Sequence, residues 1–145
     1  MIIWSRLSQG KYPELALLHH IPNGGSRSAR EGAKLKQMGV LAGVPDLHLP
    51  VPRGCYCGLY IEMKFGSGQL SADQRRFLRL ASEQGNYCCV CYTSEDAISV
   101  LQEYLACSIP ALDSAAMYTG RRDLSHPSLS IYRGGKVTAM RTQPE

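Results

Sequence analysis

A chain of 145 residues, 44% hydrophobic and 19% charged, is long enough to bury one core without disulfide or metal staples. It holds no apolar run near the ~20 residues that a membrane span requires, and its first residues lack a signal-peptide pattern, so a cytoplasmic protein with no membrane partner is expected. A net charge of +4 suits a polyanionic partner without requiring one.

The first twelve residues, with Trp4 and Leu7, read as the end of a helix broken at Gly10. Residues 15–21 are apolar and long enough for a first strand, closed by the turn signal Pro22-Asn23-Gly24-Gly25. His19 and His20 end that stretch with no nucleophile context beside them and read as ordinary histidines. Residues 26–38 predict a helix, with Ser26 or Ser28 as N-cap and Gly39 at the stop. Arg27, Arg30 and Lys34 fall at i, i+3 and i+7, hence on one face. A stripe that tracks phosphates and a solvated face fit them equally well.

The centre of the chain is residues 43–64. Alternation along a strand puts Tyr60, Glu62 and Lys64 on one face and Leu59, Ile61 and Met63 on the other. The same rule separates Asp46 and His48 from Leu47 and Leu49. The connector between the two strands is rich in turn formers, with Gly54 at its midpoint. A hairpin folded symmetrically about Gly54 sets Asp46 opposite Glu62, and opposed residues have Cβ atoms roughly 4.5–5.5 Å apart. Like charges so placed repel unless something positive lies between them. Lys64, two residues along the same face, supplies part of that charge.

Beyond a glycine-bearing loop at 65–70, Ser71 and Gln74 fit a capping box. The helix that follows runs to about Gln84 and stops at Gly85, with Phe77, Leu78 and Ala81 facing inward. Gln74 starts on that inward side, so it caps the helix and also stands within reach of the hairpin. Arg75 and Arg76 point elsewhere, toward DNA or water. Residues 87–92 read as a strand buried on both faces. Cys88, Cys89 and Cys91 lie within it as small hydrophobes, and with Cys55 and Cys57 they lack the spacing of common zinc sites. Ser94 is the expected cap of a last helix with Glu95 and Asp96 in its first turn and Ala97, Leu101, Tyr104 and Leu105 on its core face. From about Ser108 the pattern fades. Residues 1–107 read as the domain, and 108–145 as a tail whose short apolar piece, 129–132, suits a flexible segment, an added strand or a partner contact.

Four words occur in order: His20-Ile21-Pro22-Asn23-Gly24-Gly25, residues 39–46 ending in Gly43-Val44-Pro45-Asp46, Ile61-Glu62-Met63-Lys64, and Ser71-Ala72-Asp73-Gln74. Together they resemble the virus-type replication-repair nuclease (VRR-NUC) domain of the PD-(D/E)xK nuclease superfamily, over roughly residues 13–105. The resemblance implies an α/β, restriction-endonuclease-like sandwich with a mixed central sheet flanked by helices. It also implies a DNA endonuclease that uses Mg²⁺ or Mn²⁺, for which Asp46 and Glu62 are suitably hard oxygen ligands. By that resemblance the backbone carbonyl of Met63 completes the metal ligands, Lys64 orients the attacking water, and Gln74 reaches the catalytic centre with Asn23 beside it. Arg27, Arg30, Lys34, Arg75 and Arg76 become candidate DNA contacts. Stand-alone members are thought to act as homodimers on branched DNA such as Holliday junctions. In one respect the chain departs from the family: nothing acidic precedes Glu14, so the glutamate usual on the N-terminal helix has no match. A catalytically impaired DNA-binding module of the same fold is therefore the alternative expectation.

Overall fold

The computed structural model describes residues 1–22, 28–107 and 129–140. Strands β2 (Leu47–Leu49) and β3 (Leu59–Met63) pair antiparallel as Leu47 with Ile61, His48 with Tyr60 and Leu49 with Leu59, the register that symmetry about Gly54 predicts. The connector turns at Gly54, whose φ of +56° is one that glycine adopts without steric cost. Leu47, Leu49, Leu59 and Ile61 then join one core cluster, while Tyr60 packs into another across the sheet.

Strand β1 is only His19–His20, paired with β2. The strand expected over 15–21 is instead a 3-10 helix, Pro13–Leu17. Pro13 presets φ for a first helical turn. Leu15 and Leu18 then reach the core at a spacing of three while Leu17 is exposed, which is the 3-10 period rather than the period of two of a strand. The short helix α1, Ile2–Leu7, lays Trp4 against the same core.

Strand β4 (Tyr87–Cys91) runs parallel to β3, β5 (Leu129–Arg133) parallel to β4, and β6 (Lys136–Ala139) antiparallel to β5. The result is a mixed six-stranded sheet in the order β1 to β6. Parallel neighbours need crossover connections: α3 (Ala72–Glu83) lies between β3 and β4, and α4 (Ser94–Ala106) follows β4. Every residue of β4 is buried, with Cys88 and Val90 under Leu78 of α3 and Tyr87, Cys89 and Cys91 under Ala97, Val100, Leu101 and Tyr104 of α4. This is the expected α/β sandwich. Three buried tyrosine hydroxyls are paired: Tyr87 with Tyr132 at 2.7 Å, and Tyr104 donating to the Val51 carbonyl at 2.7 Å.

Ser28 caps α2 (Ala29–Gln37), its hydroxyl accepting the Glu31 N–H; Ser26, Asn23 and Arg27 lie outside the described residues. Thr93, not Ser94, caps α4 by accepting the Asp96 N–H at 3.0 Å. Thr93 keeps extended backbone (φ −136°, ψ 161°) and Ser94 is already helical, so only Thr93 has cap geometry. Of the roles open to the tail, residues 129–140 take that of added strands, so a boundary at 107 runs through one sheet. No helix among the described residues is long and apolar enough to cross a membrane.

Candidate active site

The antiparallel hairpin brings Asp46, just ahead of β2, to the end of the sheet where β3 delivers Glu62, Met63 and Lys64. Lys64 is held in line by its N–H, which donates to the Cys91 carbonyl at 2.8 Å. The loop carrying Pro45-Asp46 rests on the first turn of α3 through Gly43. At φ +81°, a Cβ on Gly43 would lie 2.3 Å from the Asp73 carbonyl carbon, a clash with backbone that leaves glycine alone able to fit.

Gln74 is the keystone. Its Oε1 accepts from the Ser71 N–H and from Lys64 Nζ, both at 2.9 Å, and its Nε2 donates to Glu62 Oε1 at 2.6 Å. Lys64 Nζ stands 3.0 Å from the same Glu62 oxygen. The capping box is complete, so one side chain both ends the helix and binds the hairpin's charged pair. Asp46 Oδ2 accepts the Met63 N–H at 2.8 Å.

Glu62 is 2% exposed, and its second oxygen, Oε2, is buried with no hydrogen-bond partner. Burial raises the Glu62 pKa; the Lys64 hydrogen bond lowers it, the Asp46 charge raises it again, the Lys64 charge and the Asp46 backbone N–H lower it, and the net direction is up. A buried acceptor left unmatched costs about 1–3 kcal/mol, and a cation beside it removes that cost. Asp46, Glu62 and the Met63 carbonyl together offer the hard oxygen donors that Mg²⁺-class ions prefer, with the remaining positions left to water and substrate. Among the described residues no group of three or more His, Cys, Asp or Glu side chains could hold a metal ion. Among the described residues, a site here would draw on the two carboxylates of Asp46 and Glu62.

Along the same face an aromatic row supports the site. The His48 ring stacks on Tyr60 with centroids 4.2 Å apart, His19 meets His48 edge-on, and Tyr60 meets Phe77 of α3 edge-on. Burial, then the His19 charge, lowers the His48 pKa and so favours the neutral ring. His20 is exposed.

Among the cations, Arg30 and Lys34 are exposed on one side of α2, with Glu31 between them. Arg75 and Arg76 are exposed on α3 but diverge. Arg75 borders a cavity of about 420 Å³ with Tyr92 and Ile131, and Arg76 a groove of about 590 Å³ with Val40 and Leu41. Glu14, the first acid of the chain, pairs with buried Arg53 in the connector at the far end of the hairpin and takes no part in the site. The three strand cysteines do not share one face: Cys88 faces α3, while Cys89 and Cys91, with sulfurs 3.9 Å apart, face α4. Burial pushes the Cys88 thiol up to about 12, far from thiolate reactivity.

A match to the VRR-NUC domain covers residues 2–95. The chain belongs to the VRR-NUC family. A solved structure described as a VRR-NUC domain protein is 32% identical, with a TM-score of 0.59, over 70% of this chain and 81% of that one. No curated protein matches. Membership places a nuclease-type activity on this domain. It also shows what sequence reasoning missed around this VRR-NUC site. Gly43 sits inside a quoted family word, yet its packing on α3 has no sequence signal beyond being a glycine. Arg133 and the loop it braces lie past or between the family words, and only the fold brings them to the same end of the sheet.

Proposed function

We propose that this VRR-NUC protein is a divalent-metal-dependent DNA endonuclease, acting as a homodimer on branched DNA such as four-way junctions. The observation that carries the reading is the bare, buried Oε2 of Glu62 beside Asp46, with Lys64 and Gln74 bound to the other oxygen. Asp46, Glu62 and the Met63 carbonyl would hold Mg²⁺ or Mn²⁺. Bound there, such an ion supplies polarisation of a phosphoryl oxygen and a more acidic water. An ammonium has three donors; Lys64 directs two at Glu62 and Gln74, leaving one for the attacking water or a phosphate oxygen. Gln74 fixes the rotamers of both charged partners, so little reorganisation accompanies reaction.

Phosphate contacts from Arg30, Lys34, Arg75 and Arg76 would hold the duplex arms. One such site cuts one strand, and resolving a junction takes two related cuts, which a two-fold dimer provides. Ile3 and Leu7, 74% and 81% exposed one turn apart on α1, offer an apolar patch for the dimer contact. The test is cleavage of junction, nicked and linear DNA with Mg²⁺, Mn²⁺ or EDTA, with sedimentation to count subunits. Asp46→Asn and Glu62→Gln should each abolish cutting. Lys64→Ala should keep metal binding and lose roughly 10²-fold or more in rate. Wild-type-like cutting by either carboxylate variant removes the proposed site. The commitment of Glu14 to Arg53 favours a second reading, a binding module that no longer cuts. Tight, salt-sensitive junction binding without nicking under any metal would establish that one instead.

A further inference from the structure

Phe65 follows Lys64 directly and is 93% exposed, more than any other large hydrophobic residue in the described chain. The loop that carries it is nonetheless braced. Gly66 turns it at φ +57°, and the Gly68 N–H donates to the Phe65 carbonyl at 2.9 Å. The Tyr92 hydroxyl donates to the Gly68 carbonyl at 2.9 Å. Arg133 lies over the Tyr92 ring, 3.9 Å from its centroid, and donates to the Gly66 carbonyl at 3.2 Å. Contacts from β4 and β5 thus rigidify a tip that shows water a bare phenyl ring. Holding the ring out forfeits the stabilisation that burial would bring; single exposed apolar side chains are common, and what sets Phe65 apart is its braced loop directly after Lys64.

Resting on the nuclease reading above, we propose that Phe65 is a substrate-contacting wedge that stacks on an unstacked base beside the scissile phosphate and so selects branched DNA. The neighbours define the partner. Lys64 directly precedes Phe65 in the chain, and the exposed Arg133 bonds the carbonyl of Gly66, the next residue, so the tip that carries the ring is bounded by two cations suited to a polyanion. A flat apolar ring within one nucleotide of a phosphate meets a base. Aromatic side chains stack on any base that is free to receive them, and apolar wedges enter base steps that are already open or readily kinked. In a continuous duplex both faces of each base are covered, whereas a branch point leaves faces open.

Phe65 touches no core residue, so its substitution tests recognition without unfolding the chain. With the full chain, Mg²⁺ and a four-way junction, Phe65→Ala should lower kcat/KM by about 10- to 100-fold, the loss of one base–aromatic stack. Phe65→Trp should stay near wild type, Phe65→Leu should resemble alanine, and melting temperatures should not move. An abasic nucleotide at the stacked position should bring wild type down to the alanine variant's rate. If wild type cuts the junction and Phe65→Ala cuts equally well, or tryptophan is as impaired as alanine, the wedge is overturned while the nuclease reading stands. If wild type cuts no DNA, the nuclease reading fails, and 2-aminopurine at the branch point decides the wedge by binding alone. Fluorescence that changes with wild type but not with Phe65→Ala supports it; equal signals overturn it.

Discussion

The two oxygens of Glu62 meet opposite fates: Oε1 takes Lys64 and Gln74, and Oε2 takes nothing. Its pKa is raised above the ordinary 4.5, chiefly by burial. A raised folded-state pKa favours the protonated form, so the associated stability is present below the unfolded value and is lost as pH rises through the folded one. Burial therefore works against the charged form of Glu62 in the metal-free protein. Glu62→Gln removes that penalty but also strips Lys64 of its ion-pair partner, so it should flatten the dependence of metal-free stability on acid pH and erase the rise in Tm that Mg²⁺ gives wild type. A variant that still responds to Mg²⁺ would contradict this account. The residues of the site were legible because charges at alternate positions in an apolar strand have few structural uses. Gln74 could be read as both cap and hairpin neighbour, but not how its atoms divide the two tasks. Only coordinates show that Oε1 serves the cap and Lys64 while Nε2 serves Glu62.

Elements with a strict period could be read, and those defined by distant partners could not. The β2–β3 register follows from alternation and a central glycine, and α3 from its capping box. The 3-10 helix at Pro13–Leu17 was hidden because an uninterrupted apolar run has no period of its own. The β5–β6 hairpin was hidden for a different reason: its anchor is Asp96, 4% exposed, on α4. Oδ2 and Oδ1 of Asp96 accept the N–H groups of Gly134 and Gly135 at 3.0 and 2.9 Å. Burial alone would raise the Asp96 pKa, but the bonds from Gly135, Thr93 and Gly134 together lower it below the ordinary 3.8. With a depressed pKa, the stability is present above the unfolded value and is lost as pH falls through the folded one. Asp96→Asn keeps one acceptor oxygen of the two and should cost about 1–3 kcal/mol at neutral pH. In urea melts the gap to wild type should narrow as the buffer drops through the acid range. A gap that does not change with pH would mean that packing, not the carboxylate, is what was lost.

At the scale of the whole molecule, the site and the tail turn out to be parts of one sheet. Phosphate binding should appear first in the salt slope: replacing Arg30 and Lys34 with alanine should reduce it by about two counterions on duplex DNA. An unchanged slope would return that face of α2 to ordinary solvation. The family match stops at Glu95, yet the fold does not. Removing residues 108–145 would strip β4 of its parallel partner β5 and open one edge of a strand that is buried throughout. It would also uncover the α3-side cluster beneath Leu129 and Ile131, leave the Tyr87 hydroxyl without Tyr132, and deprive Asp96 of both turn N–H groups. An exposed apolar strand edge templates aggregation. Each orphaned polar group costs about 1–3 kcal/mol, and the lost apolar packing adds to that, against a total stability of about 5–15 kcal/mol for an ordinary domain. A chain ending at Cys107 should therefore be insoluble or melt without cooperativity. Restoring a separate 129–140 peptide should rescue the shorter chain only weakly, because the linkage that makes the pairing intramolecular is gone. A cooperative melt, with metal-dependent cutting intact, from residues 1–107 alone would show that β5 and β6 decorate the nuclease rather than complete it.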